Sequence, residues 1–209
     1  MDMKSLFRNF FVATVALATI GSAQSGPVKA APNPRYVCED KEIVQVGEFV
    51  PITVVSTDNG QPLSWDTRGS QLTLQKGKPP SVRILPDENY GWVLGSCLVS
   101  PILVRLSRDK TDPPSVDSYL VSSPETTGVL NVLIGAFGPG NIYGRFYLEK
   151  VSGSATNSPG PEFHFGDEFV IRGVRRDWWL VVPPGAVEGS KITVSQIQAE
   201  ATHFTFSHH

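Results

Sequence analysis

Apolar residues along this chain come in short runs with a spacing of two, without the three-to-four spacing of an amphipathic helix. Clusters of Gly, Pro, Asn, Asp and Ser separate the runs, as turns separate strands. The pattern predicts twelve strands in three groups of four. The first group is "FVPITVVS", "QPLSW", "SVRILP" and "GWVLG"; the second is "PILVRLS", "SYLVSS", "VLNVLIGAF" and "RFYLEKV"; the third is "EFVIRG", "WWLVVPP", "KITVSQ" and "HFTFS". Each group closes on an aromatic run, marked by Trp92, Phe146 and Phe204. A threefold repeat of four-strand units predicts an all-β fold of the β-trefoil type, with a β-sandwich of irregular hairpins as the alternative. In either architecture the loops are the expected seat of function.

Composition agrees with the pattern. The chain has 209 residues, 40% of them hydrophobic and 18% charged, with a formal net charge of -2, enough apolar material for a packed core. Its 19 Gly and 17 Pro leave little room for long helices. The N-terminus reads differently: Lys4 and Arg8 precede the uncharged run "FFVATVALATIG", and Gly21, Ser22 and Ala23 follow it, the layout of a secretory signal peptide. The expected organisation is therefore a signal peptide at 1–23, an extended lead-in at 24–40 and the β-trefoil domain at 41–209, secreted, with no membrane association after cleavage. Export makes a disulfide between Cys38 and Cys97 the expected state of the two cysteines.

Three stretches carry a resemblance. "GQPLSWDTRGSQLTLQKGKPPSVRILPDENYGWVL", "TTGVLNVLIGAF" and "EFVIRGVRRDWWLVVPPGAVEGSKITVSQIQAEATHFTF" follow one another in the order found in a family of fungal serine protease inhibitors with a β-trefoil fold, and the chain resembles that family over most of residues 47–207. The resemblance implies a monomeric inhibitor whose partner is a target peptidase. The signal peptide, N-terminal extension and cysteine pair depart from the family's usual short intracellular form. "TDNGQPL" is also similar to the opening of plant Kunitz-type trefoil inhibitors, without the Tyr that should follow.

The residues themselves add a candidate site. "SWDTRGSQLTLQKGKPPSVR", residues 64–83, sets Arg68, Lys76, Lys78 and Arg83 against one acid, Asp66. A basic side chain on a rigid loop suits the acid-floored pocket of a trypsin-like peptidase. Arg68 is the first candidate, Lys76 and Lys78 the next, and Arg83 is expected on the following strand. Loop residues Asn59, Asn89 and Asn141 offer the equivalent for an asparaginyl peptidase.

The alternative function is carbohydrate binding, with Trp178 of "VRRDWW" as an exposed platform and Trp179 pointing inward. Two arginines on a net-acidic chain are too few for a nucleic-acid track, so no nucleic-acid partner is expected. His164, His203, His208 and His209 lack metal-ligand spacing, and "GPGNIYG" lacks a phosphate-loop pattern, so neither metal nor cofactor is expected. No nucleophile elbow or zinc-protease helix is present, and the chain is not read as an enzyme.

Overall fold

A computed structural model describes residues 37–55, 60, 62–77, 80–87, 92–108, 119–124, 130–135, 144–174 and 178–208. The signal peptide, most of the lead-in, Lys78, Asn59, Asn89, Asn141 and Arg175–Asp177 lie outside the described residues. The described residues are all-β: thirteen short antiparallel strands, with a 3-10 turn at Gln198–Glu200. The strands are β1 Phe49–Val50, β2 Ile52–Val54, β3 Ser64–Asp66, β4 Thr73–Gln75, β5 Val82–Pro86, β6 Ile102–Ser107 and β7 Tyr119–Pro124, then β8 Leu130–Gly135, β9 Phe146–Lys150, β10 Glu168–Gly173, β11 Trp178–Val181, β12 Thr193–Ser195 and β13 Phe204–Phe206. Pro51 has no N–H to give to a ladder, and it divides what the sequence reads as one run into β1 and β2.

The ladders follow a simple order. β2 pairs with β13, β13 with β10, β10 with β9, β9 with β6, β6 with β5, and β5 with β1, on the other side of Pro51 from the start. Three further hairpins, β3–β4, β7–β8 and β11–β12, attach to this path. A bridge between Thr73 and Lys191 and the pairing of Thr193 with Asn131 connect the hairpins to one another.

Strand alternation builds the core. On β10, Phe169 and Ile171 are fully buried while Glu168, Val170 and Arg172 between them are not. Phe169 stacks on Phe206 with centroids 4.3 Å apart, and Phe163 meets Phe169 edge-on at 5.7 Å. Trp65 meets Phe204 edge-on at 5.5 Å, extending the cluster to β3. Such pairs add about 0.5–1.5 kcal/mol each beyond the area they bury.

Two strand expectations are corrected. "GWVLG" forms no strand: Leu94 and Gly95 lie in a turn, Gly95 has φ +84°, and the Ser96 N–H closes onto the Val93 carbonyl. The missing member of the first group is β4, inside the stretch read as a loop, where Leu72 and Leu74 alternate into the core and Leu74 stands opposite Trp65. Cys38 and Cys97 are joined in a disulfide, with Cα atoms 4.8 Å apart. This ties the entering segment to the chain beyond that turn, where the Cys38 N–H also donates to the Gly95 carbonyl.

Candidate functional site

The three described basic residues of the 64–83 stretch lie in three different settings. Arg83 lies on β5 and is buried, its Nε donating to the Gly47 carbonyl at 3.3 Å and its guanidinium lying 5.6 Å from the Phe49 ring centroid. Lys78 is outside the described residues. Lys76 directly follows β4, next to Gly77 at φ +82°, and is exposed. It makes no ion pair with any described residue.

Arg68, by contrast, folds back on its own turn. Its Nε and Nη2 donate to the two Asp66 carboxylate oxygens at 2.8 and 2.7 Å, and its backbone N–H donates to Asp66 Oδ1 at 3.0 Å. Nη2 also donates to Gln75 Oε1 across the β3–β4 hairpin. Hydrogen bonding from Arg68 holds the Asp66 carboxyl below its ordinary value, against a smaller opposing effect of burial. From outside the hairpin, Arg108 Nη1 donates to the carbonyls of Thr67, Arg68 and Gly69 at 3.1, 3.4 and 2.9 Å. The first-choice residue thus spends its guanidinium on holding the turn.

A second loop, residues 151–167 between β9 and β10, is built from inside. Lys150 Nζ lies 2.8 Å from Asp167 Oδ2 and donates to the carbonyls of Ser158 and Glu162 at 2.9 Å each and of Gly160 at 3.3 Å. Asp167 accepts the Ser158 N–H at 2.6 Å and the His164 N–H at 2.8 Å. Burial is the largest single influence on the Asp167 carboxyl and pushes it up; the Lys150 ammonium and those two amides together outweigh it, leaving the group below its ordinary value. Asn157 Nδ2 donates to the Val151 and Glu168 carbonyls at 3.0 Å each, while its Oδ1 accepts the Glu168 N–H. These three side chains add to the backbone bridges that His164 and Glu162 make with Ile43 and Val99.

The same end of β10 carries a polar chain running outward. Thr156 Oγ1 donates to Glu168 Oε1 at 2.9 Å, and His203 Nδ1 lies 3.1 Å from Glu168 Oε2. Sequence reasoning singled out neither Lys150, Asn157 nor Asp167. The available signal was length: a connection this long between two strands is uncommon and needs support of its own.

The sugar-platform expectation is overturned. Trp178 is only 2% exposed. Its register partner is Gly173, which faces Phe146 on the other side, so the indole lies on the inward face beside a residue with no side chain. Trp179 is the outward residue of the pair, yet it too is buried, with the Arg172 guanidinium 5.6 Å from its ring and 4.6 Å from the Tyr147 ring. No group of three potential metal ligands occurs among the described residues. No helix of the described residues is long and apolar enough to cross a membrane.

No family model matches the chain. No curated protein matches it either. Solved structures do. A Caenorhabditis elegans protein of unknown function aligns at TM-score 0.57 and 13% identity, covering 81% of this chain and 98% of that one. The SDF2-like protein from Arabidopsis thaliana aligns at TM-score 0.57 and 12% identity, covering 79% and 94%. The water-soluble chlorophyll protein from Brassica oleracea var. Botrytis, with chlorophyll-b, aligns at TM-score 0.53 and 12% identity, covering 78% and 92%. At these identities the likeness is one of fold alone.

Proposed function

We propose that this chain is a secreted β-trefoil protein that inhibits a trypsin-like serine peptidase by stoichiometric contact, with Lys76 as the side chain the enzyme recognises. The pairing path from β2 round to β1 and the three attached hairpins support the trefoil, because six strands closing on themselves with three capping hairpins is that fold's plan. The disulfide supports an oxidising compartment.

The observation that carries the inhibitor reading is the state of Lys76. Of the three basic residues of this stretch that are described, Arg68 is paired and Arg83 is buried, while Lys76 is exposed directly after β4. A cation that directly follows an ordered strand avoids part of the ordering cost that a flexible substrate meets on entering an acid-floored pocket.

The test is a titration of trypsin-like peptidases at near-equimolar ratios with the parent and two variants. Lys76→Ala should weaken inhibition about thirtyfold, roughly 2 kcal/mol, the size of a hot-spot truncation. Arg68→Ala should inhibit as the parent does. A parent that inhibits no such enzyme, or a Lys76→Ala variant as potent as the parent, overturns the reading.

A further inference from the structure

β4 is closed along both edges, which limits how a peptidase can hold Lys76. On one side Gln75, Leu74 and Thr73 pair with Ser64, Trp65 and Asp66 of β3. On the other the Leu74 N–H donates to the Ser190 carbonyl at 2.9 Å, and the Leu74 carbonyl accepts the Gly189 N–H at 2.7 Å. One step further along that edge, the Ile192 N–H donates to the Leu72 carbonyl at 3.2 Å.

A peptide that enters a peptidase cleft as substrate lies extended and pairs with the enzyme as an added strand. Main-chain groups of alternate residues point to the same edge of a strand. An enzyme that paired with Lys76 in this way would therefore also need those of Leu74, two positions before it. Gly189 and Ser190 already hold both of them. The strand that leads into Lys76 is thus not on offer, while the side chain of Lys76 is.

The chain that closes this edge presents a surface of its own. Leu72 bonds Ile192 and Leu74 bonds Ser190, so the antiparallel run brings Lys76 level with Glu188 and next to Val187. The turn there is fixed: the Ser190 N–H donates to the Val187 carbonyl at 2.9 Å, and the Ser190 hydroxyl accepts the Val187 N–H at 2.9 Å. Ala186 is buried and anchors it, its N–H donating to the Pro183 carbonyl at 3.2 Å. Val187 itself is left 53% exposed. An aliphatic side chain held out at a rigid turn beside a cation suits the rim of a protein interface, where such contacts exclude water from a central charged pair.

We propose that the peptidase takes the Lys76 side chain without pairing with the main chain before it, and rests on the Val187–Glu188 turn, so that the Lys76–Gly77 bond is not hydrolysed. The partner this surface fits is a peptidase with an acid-floored pocket and an apolar rim beside it. This inference rests on the inhibitor reading of Lys76, and adds to it the docking surface and the fate of the peptide bond.

The experiment titrates a trypsin-like peptidase with the full mature chain, comparing the parent, Lys76→Ala, Val187→Ser and Val187→Asp. Val187→Ser, which removes the apolar rim without adding charge, should weaken inhibition about threefold, and Val187→Asp about tenfold. Both should unfold at the parent's denaturant midpoint, because the side chain they replace is exposed. The parent and the two Val187 variants are then left overnight with a catalytic amount of the enzyme and followed by mass spectrometry. None should gain new ends at Lys76–Gly77. A substrate-like loop behaves otherwise: once its grip is loosened it is cut faster than the parent. Cleavage at Lys76–Gly77, or inhibition undiminished in both Val187 variants, overturns this proposal, while weaker inhibition by Lys76→Ala in the same titration still upholds the reading beneath it. A parent that inhibits no such enzyme overturns both.

Discussion

The turn after β3 and the loop after β9 each contain a close ion pair of nearly equal length, Arg68–Asp66 at 2.7 Å and Lys150–Asp167 at 2.8 Å. They differ in where the charges sit. The Arg68 side chain is 70% exposed, and water can replace Asp66 as its partner. Asp167 is 1% exposed and Lys150 10%, so water cannot take the place of either charge once the other is gone, although backbone groups of the loop still bond each of them. A salt-bridge length therefore says little about what the pair holds up; the solvent available to each partner decides it. The exposed pair trims a turn whose strands already pack Trp65 on Leu74, while the buried pair joins the two ends of a loop whose backbone, beyond Val151, pairs with the rest of the fold only from Pro161 onward.

The comparison breaks most sharply at Asp167. Asp167→Ala leaves the Lys150 ammonium buried and uncompensated and strips two loop amides of their acceptor, so it should destabilise the fold by about 3–5 kcal/mol, read from the denaturant midpoint. The same residue predicts an acid response. Because its carboxyl is lowered in the folded state, its stabilisation is fully present above about pH 4, the ordinary range of Asp, and is lost as pH falls through the lower folded value. Stability of the parent should thus fall with decreasing pH below about 4 more steeply than that of Asp167→Asn. Parallel acid limbs for the two proteins would show that the pair does not carry the loop.

Asn157 tests the same loop at its other brace. Asn157→Ala removes hydrogen bonds to Val151 and Glu168 on both flanking strand ends, with an expected loss of about 1–3 kcal/mol from the groups left unsatisfied. The loss should be accompanied by faster amide exchange at Glu168, whose N–H bonds Asn157 Oδ1, and no change at Trp65 or Leu74. Equal exchange in the variant would move the support to Lys150 alone.

Much of this was legible in the sequence, and the misses have physical reasons. Spacing of two placed β10 and β13 correctly because buried Phe and Ile alternate with less buried residues, and two cysteines with the expectation of export were enough to pair Cys38 with Cys97. β4 hid because its three residues sit among Gly, Ser and Lys, and only the alternation of Leu72 and Leu74 betrayed it. Trp178 was misplaced because strand alternation gives relative faces, not which face is inward; that depends on the register with Gly173, a long-range fact. The brace of the β9–β10 loop is longer-range still in character: Lys150 and Asp167 lie at opposite ends of the loop, and nothing local in "VSGSATNSPGPEFHFGD" marks them as partners.

The smallest expected effect belongs to the residue the sequence favoured first. Arg68→Ala takes away one side of an exposed pair, yet the turn keeps the Arg108 contacts to the carbonyls of residues 67–69 and the packing of Leu72 and Leu74 beneath it. Asp66 is left partly exposed and can be solvated in place of its lost partner. The denaturation curve of Arg68→Ala should therefore overlay that of the parent within the scatter of replicate measurements, and the Asp66 carboxyl, released from its main hydrogen-bond donor, should titrate at higher pH when followed by carbon-detected NMR. A clear loss of stability in this variant would mean that the β3–β4 turn depends on its ion pair as the β9–β10 loop does, and the contrast between a trimmed turn and a skeletal brace would fail.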